Sequence, residues 1–355
     1  MRRGAAWAEA LLARHWWRAD RTELAHLLTP FSWIYAVLAA VQRWRTQPRA
    51  APVPVFVVGN WVVGGAGKTP VVIALVQALQ AAGHRPGVIS RGHGRISAVG
   101  SARNRADVIP VNLLSDAALV GDEPLLIHRR TGAPVWVGRQ RFHAARALCA
   151  QHPEVTVLVS DDGLQHIALA RDAELVVFDA RGVGNGLLLP AGPMRQKLPR
   201  RLTPKAHVLY AQGHVCSALP GTQITRSIHH AWPLDAWWAG HAQRAVPLAA
   251  LRGRTLLALA GVAAPAGFFK MLQAAGLTLQ CQPMPDHHGY SEMPWPSGTA
   301  DVITTEKDAV KLRAAVGGAA RVWVVPLDLS LPETLLRDLL KLLPHSNPLP
   351  HPHEP

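Results

Sequence analysis

A glycine-rich turn followed by Lys68 and Thr69 constrains this chain more than any other feature of its sequence. The turn, GNWVVGGAGKTP over residues 59–70, follows the apolar, β-branched segment 53–58 and precedes the Ala/Leu/Val-rich segment 71–82. A buried strand, a glycine turn and a helix in this order predict a phosphate-binding loop, because glycine N–H groups and a helix N-terminus both attract an anion. The chain is therefore predicted to bind a nucleotide through its phosphates.

The residues expected to contact the nucleotide are consecutive: Val63, Gly64, Gly65, Ala66, Gly67, Lys68, Thr69 and Pro70. Lys68 is expected to reach the β- and γ-phosphates of ATP, and the Thr69 hydroxyl to hold Mg²⁺. The usual spacing places a further glycine where this chain has Val62. An ordinary glycine-rich turn is therefore the alternative, but the flanking strand and helix favour the phosphate-binding loop.

Apolar segments alternate with helical segments from the loop to about residue 200. The further strand candidates in this part of the chain are residues 86–90, 134–138, 155–159 and 174–179. Near-continuous apolar strands joined by helices predict a P-loop NTPase-like α/β fold, with a mostly parallel sheet and helices on both of its faces. Ligands of such sheets bind at the carboxyl ends of the strands.

Four sections are predicted along the chain. They are a basic amphipathic membrane-associating segment at 1–50, a P-loop kinase core at 51–205, a smaller C-terminal α/β lobe at 206–343 and a disordered Pro/His-rich tail at 344–355. The apolar run 27–41 in the first section is flanked by arginine and tryptophan, and it is shorter than the roughly 20 residues that cross a bilayer. It predicts an amphipathic helix in the membrane interface, with an ordinary packed helix as the alternative.

The net charge limits the classes of partner that the chain is expected to bind. The net charge is +14, and the first 50 residues hold eight arginines against three acidic residues. Such a balance is typical of proteins that bind nucleic acid, anionic membranes or phosphorylated substrates, and no nucleic-acid-binding motif is present. Three widely spaced cysteines lack the spacing of a zinc site, and no signal-peptide cleavage pattern is found. These features predict a cytoplasmic body.

Several polar motifs could carry chemistry. Asp161 and Asp162 follow the strand candidate 155–159 in the sequence SDDGLQH, which predicts a Mg²⁺ site beside the phosphate-binding loop; a turn-capping role is the alternative. Asp122 in VGDEP is either a helix N-cap or a general base. Two histidines in PDHHGY either belong to a polar loop or include one that orients the base.

Seven motifs occur in order between about residues 28 and 340: GGAGKTP, SRGHGR, VGDEP, SDDGLQHIALARD, GNGLLLPAGPMR, PDHHGYS and TTEKDAVKL. Together they resemble the tetraacyldisaccharide 4'-kinases, the lipid A 4'-kinases of Gram-negative bacteria. The resemblance implies transfer of the ATP γ-phosphate, with Mg²⁺, to the 4'-hydroxyl of an acylated glucosamine disaccharide 1-phosphate, which gives lipid IVA. It implies a site at the cytoplasmic face of the inner membrane, without a nucleic-acid partner or an obligate protein partner.

The resemblance also assigns roles to single residues. The implied catalytic residues are Asp122 as general base, His287 as its partner, Asp162 and Lys68. The implied metal ligands are Thr69 and Asp161. The implied substrate-binding residues are Arg91, His93, Gln165, His166, Asn185 and Arg195. Two positions depart from the family pattern, since His93 stands where tyrosine is common and Gln196 where glutamate is common.

Three other functions remain open at this point. A P-loop GTPase or transport ATPase would need a base-reading motif, and Thr305-Glu306-Lys307-Asp308 approaches the guanine signature Asn-Lys-x-Asp with Glu in place of Asn. A non-enzymatic membrane scaffold with a degenerate loop is disfavoured by the intact Lys68 and Thr69. A soluble kinase of a small metabolite would have no use for the N-terminal apolar segment.

Overall fold

The computed structural model describes residues 12, 14–18, 20–65, 67–92, 108–211, 217–286, 288–290, 292–313 and 318–344. Three of the predicted site residues, Ala66, His93 and His287, lie outside these described residues. Residues 345–355 of the predicted tail also lie outside them.

The first sheet contains eight strands. They are β1 Val55–Gly59, β2 Pro86–Ser90, β3 Ile109–Val111, β4 Val135–Val137, β5 Val157–Asp161, β6 Ala173–Phe178, β7 Ala206–Tyr210 and β8 Thr222–Gln223. Their order is β3-β4-β2-β5-β1-β6-β7-β8, and every neighbouring pair is parallel except β3 with β4. The predicted mostly parallel sheet is confirmed. It continues through β7 and β8, and the predicted domain limits stay predictions.

Helices cover both faces of this sheet, as predicted. The helices in this part of the chain are α1 Glu23–Arg45, α2 Lys68–Ala81, α3 Ala117–Val120, α4 Asp122–Thr131 and α5 Arg141–Gln151. Alternate residues of β1 enter different cores, because successive side chains of a strand point to opposite faces. Phe56 and Val58 pack in the core that contains α2 and α4, whereas Val55 and Val57 pack in the core that contains α5.

A second sheet of six strands forms the C-terminal lobe. Its elements are β10 His230–Pro233, α6 Leu234–Ala239, β11 Val246–Pro247, β12 Thr255–Ala260, α7 Pro265–Ala274, β13 Thr278–Pro283, β14 Asp301–Thr305, α8 Glu306–Ala309 and β15 Arg321–Val325. The strand order is β11-β10-β15-β14-β12-β13. Strand β10 is antiparallel to both neighbours, and β12 to β15 are parallel.

A two-stranded antiparallel ribbon lies where the chain passes between the lobes. It pairs β9 Thr225–Ser227 with β16 Asp328–Ser330, and we call it the connector. Strand β9 follows β8 of the first sheet and precedes β10 of the second, so the chain enters the C-terminal lobe through it. After β16, helix α9 Glu333–Leu340 returns to pack its leucines in the core of the first sheet.

The N-terminal helix α1 is longer than the sequence analysis expected. The 15-residue apolar run is extended to 23 residues because Thr22 caps the helix through the backbone N–H of Ala25, at 3.4 Å, and because Arg43 and Arg45 stand at its C-terminal end. At 1.5 Å per residue its length is about 35 Å, enough to cross a bilayer. By length and composition alone, it is apolar enough to cross a membrane.

Helix α4 packs on α2, α3, β3 and β4 of the first lobe, and polar residues of the C-terminal lobe also contact it. The Arg130 guanidinium lies 2.6 Å from a Glu306 carboxylate oxygen and 2.8 Å from Asp328. Trp237 donates its indole N–H to Glu306 at 3.1 Å. The Arg129 guanidinium stacks over the Trp237 ring at 4.4 Å. These contacts join α4, whose first residue is Asp122, to the C-terminal lobe.

Glu306→Ala is expected to lower the free energy of unfolding by about 1–3 kcal/mol, because the partly buried Arg130 keeps only Asp328 as its partner and the Trp237 N–H loses its acceptor. Calorimetric melting of the purified protein measures the change. Glu333→Ala, which removes a solvent-facing acid from α9, is the matched control and should leave the melting temperature unchanged. Equal melting temperatures for Glu306→Ala and wild type would show that the buried pair contributes nothing.

Candidate active site

The glycine turn joins β1 to α2 as the sequence predicts. Gly67 is the N-cap of α2 and has φ +78, a left-handed conformation that side chains disfavour. Lys68 and Thr69 begin the helix and are buried. The Lys68 ammonium lies 3.3 Å from the Asn60 amide oxygen and 3.4 Å from an Asp162 carboxylate oxygen. The turn therefore places one cation at a helix N-terminus, where an anion is attracted.

The two carboxylates after β5 have different surroundings. Asp161 ends the strand and accepts a hydrogen bond from the Ser90 hydroxyl at 3.0 Å. Asp162 has φ +46 and pairs with Lys68. Burial, with the charges of Glu123 and Asp162, raises the pKa of Asp161 to about 7. Burial would also raise the pKa of Asp162, but Lys68 and Arg195 hold that pKa below its ordinary value.

The donor set near the loop fits Mg²⁺. The second carboxylate oxygen of Asp161, Oδ1, is buried and has no hydrogen-bond partner among the described residues. Thr69, at the first turn of α2, supplies a hydroxyl oxygen. Mg²⁺ binds through one or two protein oxygens and keeps water or phosphate oxygens as its other ligands. Asp161 is thus better suited to Mg²⁺ than Asp162, which is already paired with two cations.

A hydrogen-bond network joins three of the motifs. The Asn60 side-chain amide donates to the Gly64 carbonyl at 3.0 Å. The backbone carbonyl of Asn60 accepts a hydrogen bond from the Gln165 side-chain amide at 2.8 Å. Arg195 donates to the Gln165 side chain at 3.0 Å and lies 3.6 Å from Asp162. The predicted residues Lys68, Asp162, Gln165 and Arg195 are therefore brought together around Asn60.

A basic group borders the carboxylates on the side away from Lys68. The Arg141 guanidinium donates to the Asp162 backbone carbonyl at 3.2 Å, and Arg171 donates to the His166 carbonyl at 2.9 Å. Burial, followed by the charges of Arg141, Arg171 and Arg91, lowers the pKa of His166 to about 4. His166 is consequently neutral at pH 7 and lies among three cations. This arrangement suits an anionic group of a substrate.

Asp122 is the first residue of α4, and Gly121, rather than Asp122, occupies the N-cap position. The Asp122 side chain is buried, accepts the Glu123 N–H at 3.0 Å and lies 3.6 Å from the Lys311 ammonium. Lys307 lies 3.1 Å from both Glu123 and Asp286. The loop that contains the PDHH sequence is thereby tied to the start of α4. His287 is the residue after Asp286 and lies outside the described part of the chain.

Lys307 is surrounded by three acidic side chains, Glu123, Asp122 and Asp286. Burial alone would lower the pKa of its ammonium group, but Glu123, Asp122 and Asp286 raise that pKa above its ordinary value. Lys307 therefore stays charged beside Glu123, Asp122 and Asp286.

A cavity of about 250 Å³ opens beside the glycine turn, between the two lobes. One wall carries Lys68, Thr69 and the arginines Arg181 and Arg226. The C-terminal lobe contributes an apolar part, with Val262, Ala263, Phe268, Met271 and Leu327, and also the polar residues Asp286, Thr305, Glu306 and Lys307. The lobes are close here, since a Cβ on Gly65 would lie 3.1 Å from the Cβ of Ala263. A polar end with cations and an apolar end suit the phosphates and the base of a nucleotide.

The TTEKD sequence performs a structural task. Asp308 is fully buried, accepts the Gly261 N–H at 2.9 Å and accepts the Tyr290 hydroxyl at 2.9 Å. Glu306 is engaged by Arg130 and Trp237. An acid that reads guanine must face the base, and Asp308 is instead bonded within the C-terminal lobe. The motif therefore does not support a GTPase.

Helix α1 docks on the segment 185–196, which also carries Arg195. The Ser32 hydroxyl donates to the Leu188 carbonyl at 2.8 Å, and the Tyr35 hydroxyl donates to the Arg195 carbonyl at 2.9 Å. Asn185 is buried, and its side chain bonds within this segment to Leu187 and Ala191. Its predicted contact with substrate stays a prediction, as do those of the exposed Arg91 and of His93, which lies outside the described residues.

Sequence reasoning missed several residues of this site. Asn60, Ser90, Glu123, Arg141, Arg181, Arg226, Lys307 and Lys311 received no role. Lys307 belongs to the motif TTEKDAVKL and Glu123 to the motif VGDEP, so both motifs could have pointed to these two residues. No local pattern marks Arg226, because its neighbours in space are 159 positions earlier in the chain.

The chain is similar to the members of one known family. The family profile described as Tetraacyldisaccharide-1-P 4'-kinase matches residues 24–344. The chain is 50% identical over 310 residues to the tetraacyldisaccharide 4'-kinase of Leptothrix cholodnii, covering 86% of each chain. It is 49% identical over 337 residues to that of Methylibium petroleiphilum, covering 91% of this chain and 90% of the relative.

A solved structure agrees with these relatives. The crystal structure of LpxK from Aquifex aeolicus, an "apo" form in complex with ATP, superposes with a TM-score of 0.71 at 25% identity, covering 90% of this chain and 99% of that one. The match extends over both lobes, and the predicted fold class and family resemblance are confirmed. The chain belongs to the tetraacyldisaccharide 4'-kinase family.

Proposed function

We propose that this chain transfers the γ-phosphate of ATP to the 4'-hydroxyl of tetraacyldisaccharide 1-phosphate, giving lipid IVA in lipid A biosynthesis. The observation that carries the proposal is the contact of Arg195 with Asp162 on one side and, through its backbone carbonyl, with α1 on the other. A nucleotide-phosphate site is thereby adjacent to the exposed apolar helix of the chain. A lipid substrate whose acyl chains stay in a bilayer needs this adjacency.

The residues divide the work of phosphoryl transfer. Lys68 and the N-terminus of α2 neutralise the phosphates, since transfer depends on positioning and charge stabilisation more than on covalent help. Asp122 accepts the proton of the attacking 4'-hydroxyl. Lys307 joins Asp286 to Glu123 of α4, and Lys311 pairs with Asp122, which restrains the Asp122 side chain. Mg²⁺, when bound, would be held by Asp161 and Thr69 and would supply positive charge to the phosphates.

The basic group around His166 is the proposed site of the disaccharide 1-phosphate. Arg91, Arg141 and Arg171 lie close enough to lower the His166 pKa, and they lie beside the carboxylates that line the phosphate-transfer end. A phosphate monoester is well matched to arginine, whose guanidinium donates two parallel hydrogen bonds. The substrate would then bind between this group and the segment 185–196.

Helix α1 is proposed to lie on the cytoplasmic face of the inner membrane. Its exposed side is apolar, with Leu27, Phe31, Ile34, Leu38 and Val41 recurring at three- and four-residue spacing beside Trp33, Val37 and Trp44. The opposite side is hydrogen-bonded to the segment 185–196 through Ser32 and Tyr35. A helix bonded to the protein body along its middle cannot be surrounded by lipid, which favours burial of one side in the interface over a full crossing.

The double substitution Phe31→Glu/Leu38→Glu is expected to reduce binding to phosphatidylglycerol-containing vesicles at least 100-fold, because each exposed apolar side chain contributes about 1.5–3 kcal/mol when buried. Sedimentation with vesicles measures the partition. Leu113→Glu/Leu114→Glu, which changes two exposed leucines elsewhere, is the matched control. Unchanged partition of the α1 variant would rule out this helix as the membrane contact.

The decisive experiment is transfer of radiolabelled γ-phosphate to detergent-dispersed tetraacyldisaccharide 1-phosphate. Wild type should label the lipid, and the label should survive mild acid, because a 4'-phosphate monoester is stable where an anomeric phosphate is cleaved. Hydrolysis of ATP without labelled lipid, or a label lost in mild acid, would contradict the proposed function.

A further inference from the structure

A lysine of the TTEKDAVKL motif carries a buried ammonium group that forms no hydrogen bond. Lys311 follows α8, and its side chain is only 9% exposed. Its Nζ atom has no hydrogen-bond partner among the residues that the structure describes. A buried ammonium group is unfavourable unless charges or dipoles around it compensate for the lost water. The groups that pack around Lys311 therefore decide what this lysine does.

Two carboxylates and one aromatic ring surround the Lys311 ammonium. Its Nζ atom lies 3.6 Å from Oδ2 of Asp122 and 3.6 Å from Oδ1 of Asp308. The ammonium also lies over the ring of Tyr290, 5.3 Å from the ring centroid, where a cation is attracted to the face of the ring. Lys311 is thus shared between the proposed general base and a buried acid of the C-terminal lobe.

Asp308 is held as an anion by neutral donors. Its carboxylate accepts the Gly261 N–H at 2.9 Å and the Tyr290 hydroxyl at 2.9 Å. It also accepts the Thr305 hydroxyl at 2.7 Å. Burial and the charge of Asp308 raise the pKa of the Tyr290 phenol, so this hydroxyl stays protonated and can donate. Hydrogen bonds donated to a carboxylate favour its charged form, and Asp308 therefore supplies Lys311 with a permanent counter-charge.

Other titratable groups lie on the elements packed around this pair. They are Glu123 on α4, Lys307 on α8, and Asp286 and His288 on the loop after β13. Lys307 lies 3.1 Å from both Glu123 and Asp286. The His288 ring packs against Tyr290 at 4.6 Å, and its Nδ1 accepts the Tyr290 N–H. Lys307 is therefore directed at Glu123 and Asp286, whereas Lys311 is directed at Asp122.

We propose that Lys311 is a positioning residue that keeps Asp122 ionised until the acceptor hydroxyl arrives, and that Asp308 keeps Lys311 charged once Asp122 has taken the proton. The inference rests on the proposed role of Asp122 as general base. Burial disfavours the charged form of the Asp122 carboxylate, and a cation 3.6 Å away offsets this effect.

The acid–cation–acid arrangement fits both ends of the reaction. As the hydroxyl oxygen bonds to the γ-phosphorus, the bond from that phosphorus to the bridging oxygen of ADP breaks, and the hydroxyl proton passes to Asp122. Asp122 is then neutral, and Asp308 remains as the counter-charge of Lys311 until Asp122 releases its proton to solvent. Lys311 itself neither gains nor loses a proton.

The pH dependence of lipid phosphorylation tests this role. Lys311→Met removes the charge from a side chain of similar length, so Asp122 should hold its proton at higher pH. The ratio of kcat at pH 8.5 to kcat at pH 6.5, with both substrates saturating, should be about 10-fold larger than in wild type, which corresponds to a displacement of the acid limb by about one pH unit. Lys311→Arg keeps the charge and should restore the wild-type ratio.

Lys341→Met is the matched control. Lys341 also pairs with an acid three positions earlier, Asp338, but it is exposed and lies at the end of α9. Its kcat ratio should equal that of wild type. Lys311→Gln replaces Lys311→Met in all measurements if the methionine variant does not fold.

Thermal melting tests the ionisation of Asp122 without the enzymatic reaction. An acid that is protonated in the folded protein and ionised in the unfolded chain makes stability fall as pH rises. Between about pH 5.5 and pH 8, Lys311→Met should therefore lose melting temperature relative to wild type. Adding Asp122→Asn to Lys311→Met should abolish this relative loss, because asparagine cannot ionise.

The proposal is overturned if Lys311→Met lowers kcat by the same factor at both pH values, which is the mark of a purely structural role. It is also overturned if the relative loss of melting temperature persists in the double variant. Failure of the proposed function differs from both results. Wild type would then label no lipid at any pH, whereas the melting difference and its removal by Asp122→Asn would still show that Lys311 keeps Asp122 ionised.

Discussion

Lys68→Ala should reduce phosphoryl transfer to the lipid by about 10²–10³-fold while the protein remains folded. Lys68 is the cation that begins α2, and it bridges Asn60 and Asp162 next to the cavity. Its removal leaves the γ-phosphate charge without its nearest neutralising group and leaves Asp162 facing that charge. Transfer is measured with radiolabelled γ-phosphate, and folding by calorimetric melting.

Lys341→Ala is the control for this change. It removes an exposed lysine from the end of α9, where Lys341 pairs with Asp338, and it should transfer phosphate at the wild-type rate. If Lys68→Ala retained more than about a tenth of the wild-type rate, the phosphate-binding role of the loop would be wrong, since one charge-neutralising group in such a site contributes about 10²–10³-fold.

Asp122→Asn is expected to lower kcat by about 10²–10⁴-fold, with little change in the Kd for ATP. Asparagine preserves the shape of the side chain and its acceptor for the Glu123 N–H, but it cannot take a proton from the 4'-hydroxyl. Turnover is measured with the lipid acceptor at saturation, and the Kd for ATP by calorimetry on the same preparation.

Asp116→Asn provides the comparison, because Asp116 caps α3 six positions earlier and asparagine caps equally well. Its kcat should match that of wild type. A loss of ATP affinity in Asp122→Asn as large as the loss of turnover would show that Asp122 supports nucleotide binding, and the assignment as general base would then be withdrawn.

The predictable parts of the site are those whose residues are consecutive in the sequence. The glycine turn with Lys68 follows from consecutive residues between a strand and a helix. The carboxylates at the end of β5 were predictable in the same way, because ligands of a parallel sheet bind at the carboxyl ends of its strands. The parallel sheet followed from the alternation of apolar strands with helices.

The remaining parts depend on contacts between distant positions. Asn60 gains its role only when Gln165 reaches its carbonyl, 105 positions later. Glu123 meets Lys307 across 184 positions, and neither residue type alone distinguishes this pair from ordinary surface charges. The length of α1 was underestimated because hydropathy alone ends the run at its polar flanks, whereas capping extends the helix through them.

The dependence of α4 on the C-terminal lobe bears on how the protein matures during synthesis. Asp122 lies in the first half of the chain. Glu306 and Lys311, which form ion pairs with α4, are translated almost 200 codons later. Leucines of α9, including Leu339, complete the core beneath the first sheet. A nascent chain that ends before Glu306 and Lys311 therefore lacks these contacts at the start of α4, and we expect it to transfer no phosphate.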